Sequence, residues 1–325
     1  MTVLTITNPR SRKAGGRLPA LLAALPESPD LQHIVTRDSA ELGAIFSARR
    51  WQPDDVLVIN GGDGTTQRAL TELANRCEAQ RWPRVAVLPS GTTNMTAFDF
   101  NGHRGFRRCL EALGAALREP RSAPQRQRHL VTVELPGQRL SGLFFGTGTI
   151  VQGIEYFHAR VNPAGGGHEL GAGIALLRTL WGISRRQPPF ADALSLSLDA
   201  PTLRDAARGL GTAAAPDCAL AVRLFLVTGL ERLFLGLRPY WHDSPDALRA
   251  TLIEARAPRF LRSMPRLLRG RPDALMSAQQ GYHSSAVCEL RLRFDGPFTL
   301  DGELFACRGD TIAVRRSPAL RILSL

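Results

Sequence analysis

Lysine is almost absent from this sequence: Lys13 is the only one, and Ala14 follows it. A phosphate loop of the G-x-x-x-x-G-K-[ST] type therefore does not occur, and no other lysine is present to clamp phosphate as in protein kinases or to form a Schiff base. Phosphate would have to be held by backbone N–H groups, hydroxyls, arginine or metal. Cysteine is sparse as well. Cys77, Cys109, Cys218, Cys288 and Cys307 are odd in number, far apart and without C-x-x-C spacing. That pattern argues against a disulfide framework or a zinc site and for a reducing cytoplasm. Long apolar runs are missing too. The opening MTVLTITNPRSRK has too short an apolar stretch for a signal peptide, and the most hydrophobic segment, ALAVRLFLVTGLERLFLGL, is broken by Arg223, Glu231 and Arg232. No transmembrane helix is expected. The histidines, His103, His158, His168, His242 and His283 among them, show no metal-ligand spacing, and no aromatic–basic interleaving points to nucleic acid.

What remains is an ordinary globular composition with a basic excess. The 325 residues, 44% hydrophobic and 22% charged, leave room for two domains, and 41 Lys plus Arg against 29 Asp plus Glu give a net charge of +12. Attraction to anions follows, whether anionic membrane, phosphorylated ligand or nucleic acid, and charge alone does not choose.

The first 118 residues alternate short β-like runs (VLTIT, LQHIVT, DVLVIN, RVAVLP) with helical patterns (GRLPALLAAL, SAELGAIFSARR, TTQRALTELANRC, FRRCLEALGAAL). Such alternation predicts a parallel sheet with crossover helices, which binds ligands at the carboxyl ends of its strands. Those ends carry Asn8, Thr36, a Gly61 loop and a Ser90 loop. Asp38 and Glu41 fit a capping box for the second helix. The polar segment REPRSAPQRQR then reads as a linker. Beyond it the chain is mostly strand-like (HLVTVEL, LSGLFFGTGTI, ALSLSL, LAVRLFLV, ALRATLIE, AVCELRLRF, PFTLDG), with helical candidates at 153–160 and 172–184.

Two loops invite a phosphate. In VLVINGGDGTTQRAL, Gly61, Gly62 and Gly64 remove side chains so that N–H groups can close on an anion at a helix start, Thr65 and Thr66 add hydroxyls, and Asp63 is either a cap of that helix or a metal or ribose contact. In RVAVLPSGTTNM the design repeats on the next predicted strand, with Ser90, Gly91, Thr92, Thr93 and Asn94. Two such loops at adjacent strand ends suit a polyphosphate. Later, Asp301 and Glu303 stand two apart in PFTLDGELFA, an apparent strand, hence on one face. Two carboxylates so placed can raise one pKa toward that of a useful base or share a metal. An ordinary turn with a solvated Glu303 is the alternative.

Taken in order, NPRS, NGGDGT, LPSGTTN and DGE resemble the diacylglycerol kinase catalytic family, which includes bacterial lipid kinases and sphingosine kinases. The resemblance implies a phosphofructokinase-like three-layer α/β nucleotide domain followed by a β-sandwich domain, with a lipid hydroxyl phosphorylated by ATP and Mg2+ in the cleft between them. It implies residues 1–122 and a returning segment, 306–325, as the nucleotide domain, and 123–305 as the lipid-substrate domain. It assigns nucleotide contact to Asn8, Thr36, Gly61, Gly62, Asp63, Gly64, Thr65, Gly91 and Thr92, the metal to Asp63, and the general-base role to Asp301 and Glu303. The implied acceptor is diacylglycerol or a related alcohol, met by a cytoplasmic protein at the inner membrane face.

Four places depart from the family pattern. Arg12 replaces a usual glycine, Gln67-Arg68 replace an Asn-Glu pair, Met95 replaces a frequent aspartate, and PYWHDSPDALRA lacks an Asp-Asp-Gly run, so no structural metal is placed there. An NAD kinase shares GGDGT but lacks LPSGTTN, and a noncatalytic nucleotide- or lipid-binding protein is the other alternative. Finally, PRFLRSMPRLLRG sets Arg259, Arg262, Arg266 and Arg269 at helical spacing. Such a helix rests either on the protein core with a solvated arginine face or on anionic lipid.

Overall fold

A computed structural model describes residues 1–11, 13–25, 30–36, 39–120, 122–156, 193–198, 219–242 and 244–325. The chain divides into two compact units, Met1–Arg128 with Pro318–Leu325, and His129–Ser317.

In the first unit, β1 (Val3–Thr7), β2 (Leu31–Val35), β3 (Val56–Gly61) and β4 (Arg84–Pro89) are all parallel, in lateral order β2, β1, β3, β4. Crossovers run through α1 (Ala14–Ala24), α2 (Ser39–Ala48) and α3 (Asp63–Arg76), and α4 (Met95–Asn101) and α5 (Phe106–Arg118) follow β4. Strand residues alternate between faces, and in β1, β3 and β4 both faces are buried. Val3, Val56, Val58, Ala86 and Leu88 pack against Leu21 of α1 and Cys109, Leu110, Leu113 and Leu117 of α5. Leu4, Ile6, Leu57 and Ile59, on the opposite face, are equally inaccessible. Cover on both sides explains why β3 and β4 read as nearly unbroken apolar runs, whereas β2, the last strand in the lateral order, is only partly buried and carries Gln32 and His33. Each such side chain contributes about 1.5–3 kcal/mol on burial. The chain end closes the sheet: Ile322 pairs with Val85 of β4, and the Leu325 amide donates to Asn101 Oδ1 at 3.0 Å.

The second unit is strand-rich and antiparallel wherever its pairing is recorded. Its elements are β5 (Gln125–Leu135), β6 (Gln138–Gly142), β7 (Phe144–Gly148), α6 (Thr149–Tyr156), β8 (Leu194–Leu198), β9 (Leu220–Thr228), β10 (Leu248–Glu254), α7 (Phe260–Leu267), β11 (Tyr282–Val287), β12 (Glu289–Leu300) and β13 (Glu303–Leu323). One path runs β11, β10, β9, β7, β12, β13. Its core is aromatic at the centre: Phe298 stacks on Phe145 at 5.3 Å and on Phe305 at 5.5 Å, and meets Phe294 edge-on at 6.4 Å.

Several expectations need correction. The segment expected as a linker joins a strand from Gln125, because β5 is continuous through Arg128, and the division between units falls at Arg128/His129. The return falls at Ser317/Pro318, within the 21-residue β13, rather than after Phe305. AVCELRLRF is two strands, β11 and β12, separated at Cys288. The helix expected at 153–160 is α6, four residues earlier at its start; the candidate at 172–184 lies outside the described residues, as do Arg12, Asp38 and Asp243. Cys77, Cys109, Cys288 and Cys307 are free. Among the described residues no helix is long and apolar enough to cross a membrane.

Candidate active site

In the first unit the sequence motifs meet. The chain steps from β1 to β2 and then back past β1 to β3, so the strand order reverses between β1 and β3, where open parallel sheets hold ligands. Asn8 leaves β1 there. Its amide N–H donates to Asn60 O at 3.2 Å, and its Nδ2 donates to Thr65 Oγ1 at 2.9 Å. The first and second motifs are thus tied directly. Ser11 Oγ donates to Ser90 O at 3.2 Å, and the Lys13 amide donates to the same carbonyl at 3.3 Å, which ties the opening motif to the second glycine loop. Thr36 is buried at the end of β2, its amide on Thr7 O at 2.9 Å.

The glycines have measurable reasons. A Cβ on Gly61 would stand 2.7 Å from Thr65 Cβ, and one on Gly91 would stand 2.5 Å from Gly62 Cα. The two loops therefore touch backbone to backbone. Asn94 adopts a left-handed conformation, φ 53°, and brackets Gly91: its Oδ1 accepts the Gly91 amide at 2.6 Å and its Nδ2 donates to Gly91 O at 3.1 Å. Thr92 follows, half-buried. α3 begins at Asp63 with no side-chain cap, leaving first-turn N–H groups directed toward the strand ends.

Asp63 does not cap its own helix. Its carboxylate accepts the Met95 amide at 3.1 Å and the Thr96 amide at 3.0 Å, so it caps α4, the helix leaving the other loop. Burial raises its pKa, and the amide hydrogen bonds of Thr96, Met95 and Asn94 oppose that shift. This link joins residues 32 and 33 positions apart, which no local capping pattern reveals.

The second unit carries the carboxylate pair in a different geometry from the one expected. Asp301 and Gly302, at φ 52° and 91°, form a two-residue turn, with Leu300 of β12 paired to Glu303 of β13. Asp-Gly with both residues left-handed is the favoured hairpin turn, and this signal outranks the apparent strand. The two residues therefore do not share one face of one strand. Asp301 is buried, its Oδ1 accepting the amides of Leu143 and Phe144 at 3.0 and 2.8 Å and its Oδ2 lying 3.0 Å from the Leu143 amide. Gly142 makes room, since a Cβ there would stand 2.6 Å from Asp301 Oδ2. Glu303, by contrast, is half-buried.

The comparisons with known proteins bear on this arrangement. Residues 2–122 match the diacylglycerol kinase catalytic domain. The match spans the loops of Asn8, Gly61 and Gly91, and it supports a lipid kinase family. No curated protein matches the sequence. Among solved structures, a diacylglycerol kinase from Bacillus anthracis str. Sterne aligns at TM-score 0.60 and 13% identity, covering 100% of this chain and 97% of that one. Two others from the same strain, assigned only provisionally as diacylglycerol kinases, align at TM-scores of 0.65 and 0.62 with 14% identity each. They cover 100% of this chain and 95% and 97% of their own. At these identities the likeness is one of fold: an α/β unit followed by a strand-rich one.

Sequence reasoning missed Asn94 as the brace of Gly91, Asn60, whose Oδ1 is buried without a partner beside Asn8, and Gly142 beneath Asp301. Only Asn94 left a signal, a glycine followed three residues on by asparagine in a turn.

Proposed function

We propose that the protein transfers the γ-phosphate of ATP to a hydroxyl of diacylglycerol or a related lipid alcohol. The observation that carries this is the joining of Asn8, Thr65, Gly62, Gly91 and Asp63 by direct contacts at the reversal of strand order. In this reading Asn8, Thr36, Gly61, Gly62, Gly64, Thr65, Gly91 and Thr92 bind nucleotide. The uncapped α3 amides take phosphate oxygens, and Asn8 holds the Thr65 hydroxyl toward them. Phosphoryl transfer asks mainly for such positioning.

Mg2+ suits Asp63. Hard cations bound with nucleotides use one or two carboxylates, with phosphate oxygens and water completing the shell. Asp63 is the acid within these loops, and its pKa, raised by burial, marks a charge that a cation would stabilise. When bound, the ion would neutralise negative charge on the transferred phosphoryl group. Among the described residues no cluster of three His, Cys, Asp or Glu offers a second site.

The roles of the acidic pair differ. Glu303, half-exposed, accepts the proton of the lipid hydroxyl, while Asp301, with its oxygens on the Leu143 and Phe144 amides, holds the turn that presents Glu303. A reducing cytoplasm, with lipid met at the membrane face, completes the proposal. Labelled ATP, Mg2+ and a total bacterial lipid extract supply the test. Wild type should label a lipid and Glu303→Gln should not; absence of labelled lipid with wild type across a panel of diacylglycerol, monoacylglycerol and sphingoid alcohols would overturn it.

A further inference from the structure

The second unit holds an apolar tip beside a basic helix, and the proposed chemistry uses neither. α7 buries Phe260, Ser263, Met264 and Leu267, at i, i+3, i+4 and i+7, and turns Leu261, Arg262, Pro265 and Arg266 outward. From Arg256 to Arg271 the chain has six arginines and no acid. The flanking acids are Glu254, buried and ion-paired with Arg256, and Asp273, 3.1 Å from Arg266 Nη1. No other carboxylate of the described residues lies within ion-pair distance of Arg259, Arg262, Arg269 or Arg271. The expectation of an apolar face on the core is met, and the outward arginines remain to be explained.

The turn Leu233–Arg238 supplies the second observation. Leu235 has φ 57°, the left-handed region that favours glycine, and is 43% exposed. The Leu233 amide closes the turn onto Leu237 O at 2.8 Å, and Phe234 and Leu237 flank the tip half-exposed. A bulky residue held in that conformation with its side chain in water calls for a partner. The turn and the helix are joined. The Arg238 amide donates to Leu268 O at 2.8 Å, and a Cβ on Gly270 would stand 2.7 Å from Arg238 O.

We propose that this turn and the outward face of α7 form one docking surface for an anionic lipid bilayer. Leu235 and Phe234 enter the headgroup boundary, and Arg259, Arg262 and Arg269 lie against lipid phosphates. An apolar tip next to a one-signed basic face matches the two attractions such a surface offers, burial and charge. The inference rests on the lipid-kinase reading only in its choice of partner.

Flotation of the full chain, without ATP, with phosphatidylcholine vesicles and with equimolar phosphatidylcholine–phosphatidylglycerol vesicles tests it. Binding should favour the anionic vesicles and fall with added salt. The double variant Arg262→Gln, Arg269→Gln should bind about 30-fold more weakly, at about 1 kcal/mol per arginine. Leu235→Asn should weaken binding several-fold with no loss of thermal stability, because asparagine tolerates the left-handed region. Equal binding to both vesicle types, or wild-type binding by both variants, would overturn the proposal. So would binding to single-stranded RNA, lost in the arginine variant, with vesicles left unbound. Vesicle binding by a protein that phosphorylates no lipid would keep this surface and remove the kinase reading. Phosphorylation of detergent-dispersed lipid without vesicle binding would do the reverse.

Discussion

Gly62 and Gly91 lie in contact across the two loops, with no space for a Cβ between them, since one on Gly91 would fall 2.5 Å from Gly62 Cα. The glycine at 91 is therefore required by Gly62 before any ligand is considered, while a Cβ on Gly62 would make a tight 3.3 Å approach to Gly91 Cα. Their contact fixes the loops as one surface, and Asp63 fastens the same loops by accepting the Met95 and Thr96 amides.

Gly91→Ala forces those backbones apart. Overpacking of this kind costs about 1–3 kcal/mol, and the loops it separates are the ones proposed to hold phosphate. Urea denaturation should show the loss, and nucleotide affinity should fall with it. A stable variant that binds nucleotide as wild type does would show the contact to be dispensable.

Asp63→Asn keeps the shape and removes the charge. One amide oxygen must then serve both Met95 and Thr96, and the cap of α4 weakens by about 1 kcal/mol. Because burial raises the Asp63 pKa, this group's contribution to stability is fully present below its unfolded value of 3.8 and is lost as pH rises through the folded value. The stability difference between variant and wild type should therefore change with pH over that interval, as read from denaturation midpoints.

Asp301 and Glu303 should separate stability from activity. Asp301→Asn turns an NH2 group or a single oxygen toward the Leu143 and Phe144 amides, and a buried hydrogen-bond set broken this way costs about 1–3 kcal/mol. Glu303→Gln should unfold like wild type and lose lipid phosphorylation. The reverse outcome, a stable inactive Asp301→Asn and a fully active Glu303→Gln, would move the base to Asp301.

Glu254 should contribute to acid sensitivity in the second unit. Its Oε1 lies 2.8 Å from His283 Nε2, and Arg256 pairs with it. Burial alone would raise the carboxyl pKa, but the hydrogen bonds from Arg256 and His283 outweigh it, and the net shift is below the ordinary 4.5. A depressed carboxylate stabilises above its unfolded pKa, and that stability is lost as pH falls through the folded value. Glu254→Gln should be less stable at neutral pH, and the gap to wild type should shrink below pH 4.5.

Much of the first unit was legible because its information is local. The cores of β3 (VLVI) and β4 (VAVL) are continuously apolar and buried, and β1, β3 and β4 are each followed by the loop that carries a motif. The second unit was less legible. The hairpin at Asp301-Gly302 was signalled by Asp-Gly but hidden inside a long apolar pattern, and the break at Cys288 leaves no glycine or proline to mark it.

By itself the sequence determined the parallel α/β order of the first 118 residues, the glycine loops at its strand ends, and the absence of a lysine-based phosphate loop. These follow from residue type and short-range periodicity, which act within a turn or a strand. Only the tertiary structure decided that Asp63 caps α4, that Gly62 meets Gly91, and that Asp301 is bound by amides of a strand edge 157 and 158 residues away. Hydrogen-bond acceptors and bare Cα atoms find their partners by position in space, and no spacing along the chain encodes that position.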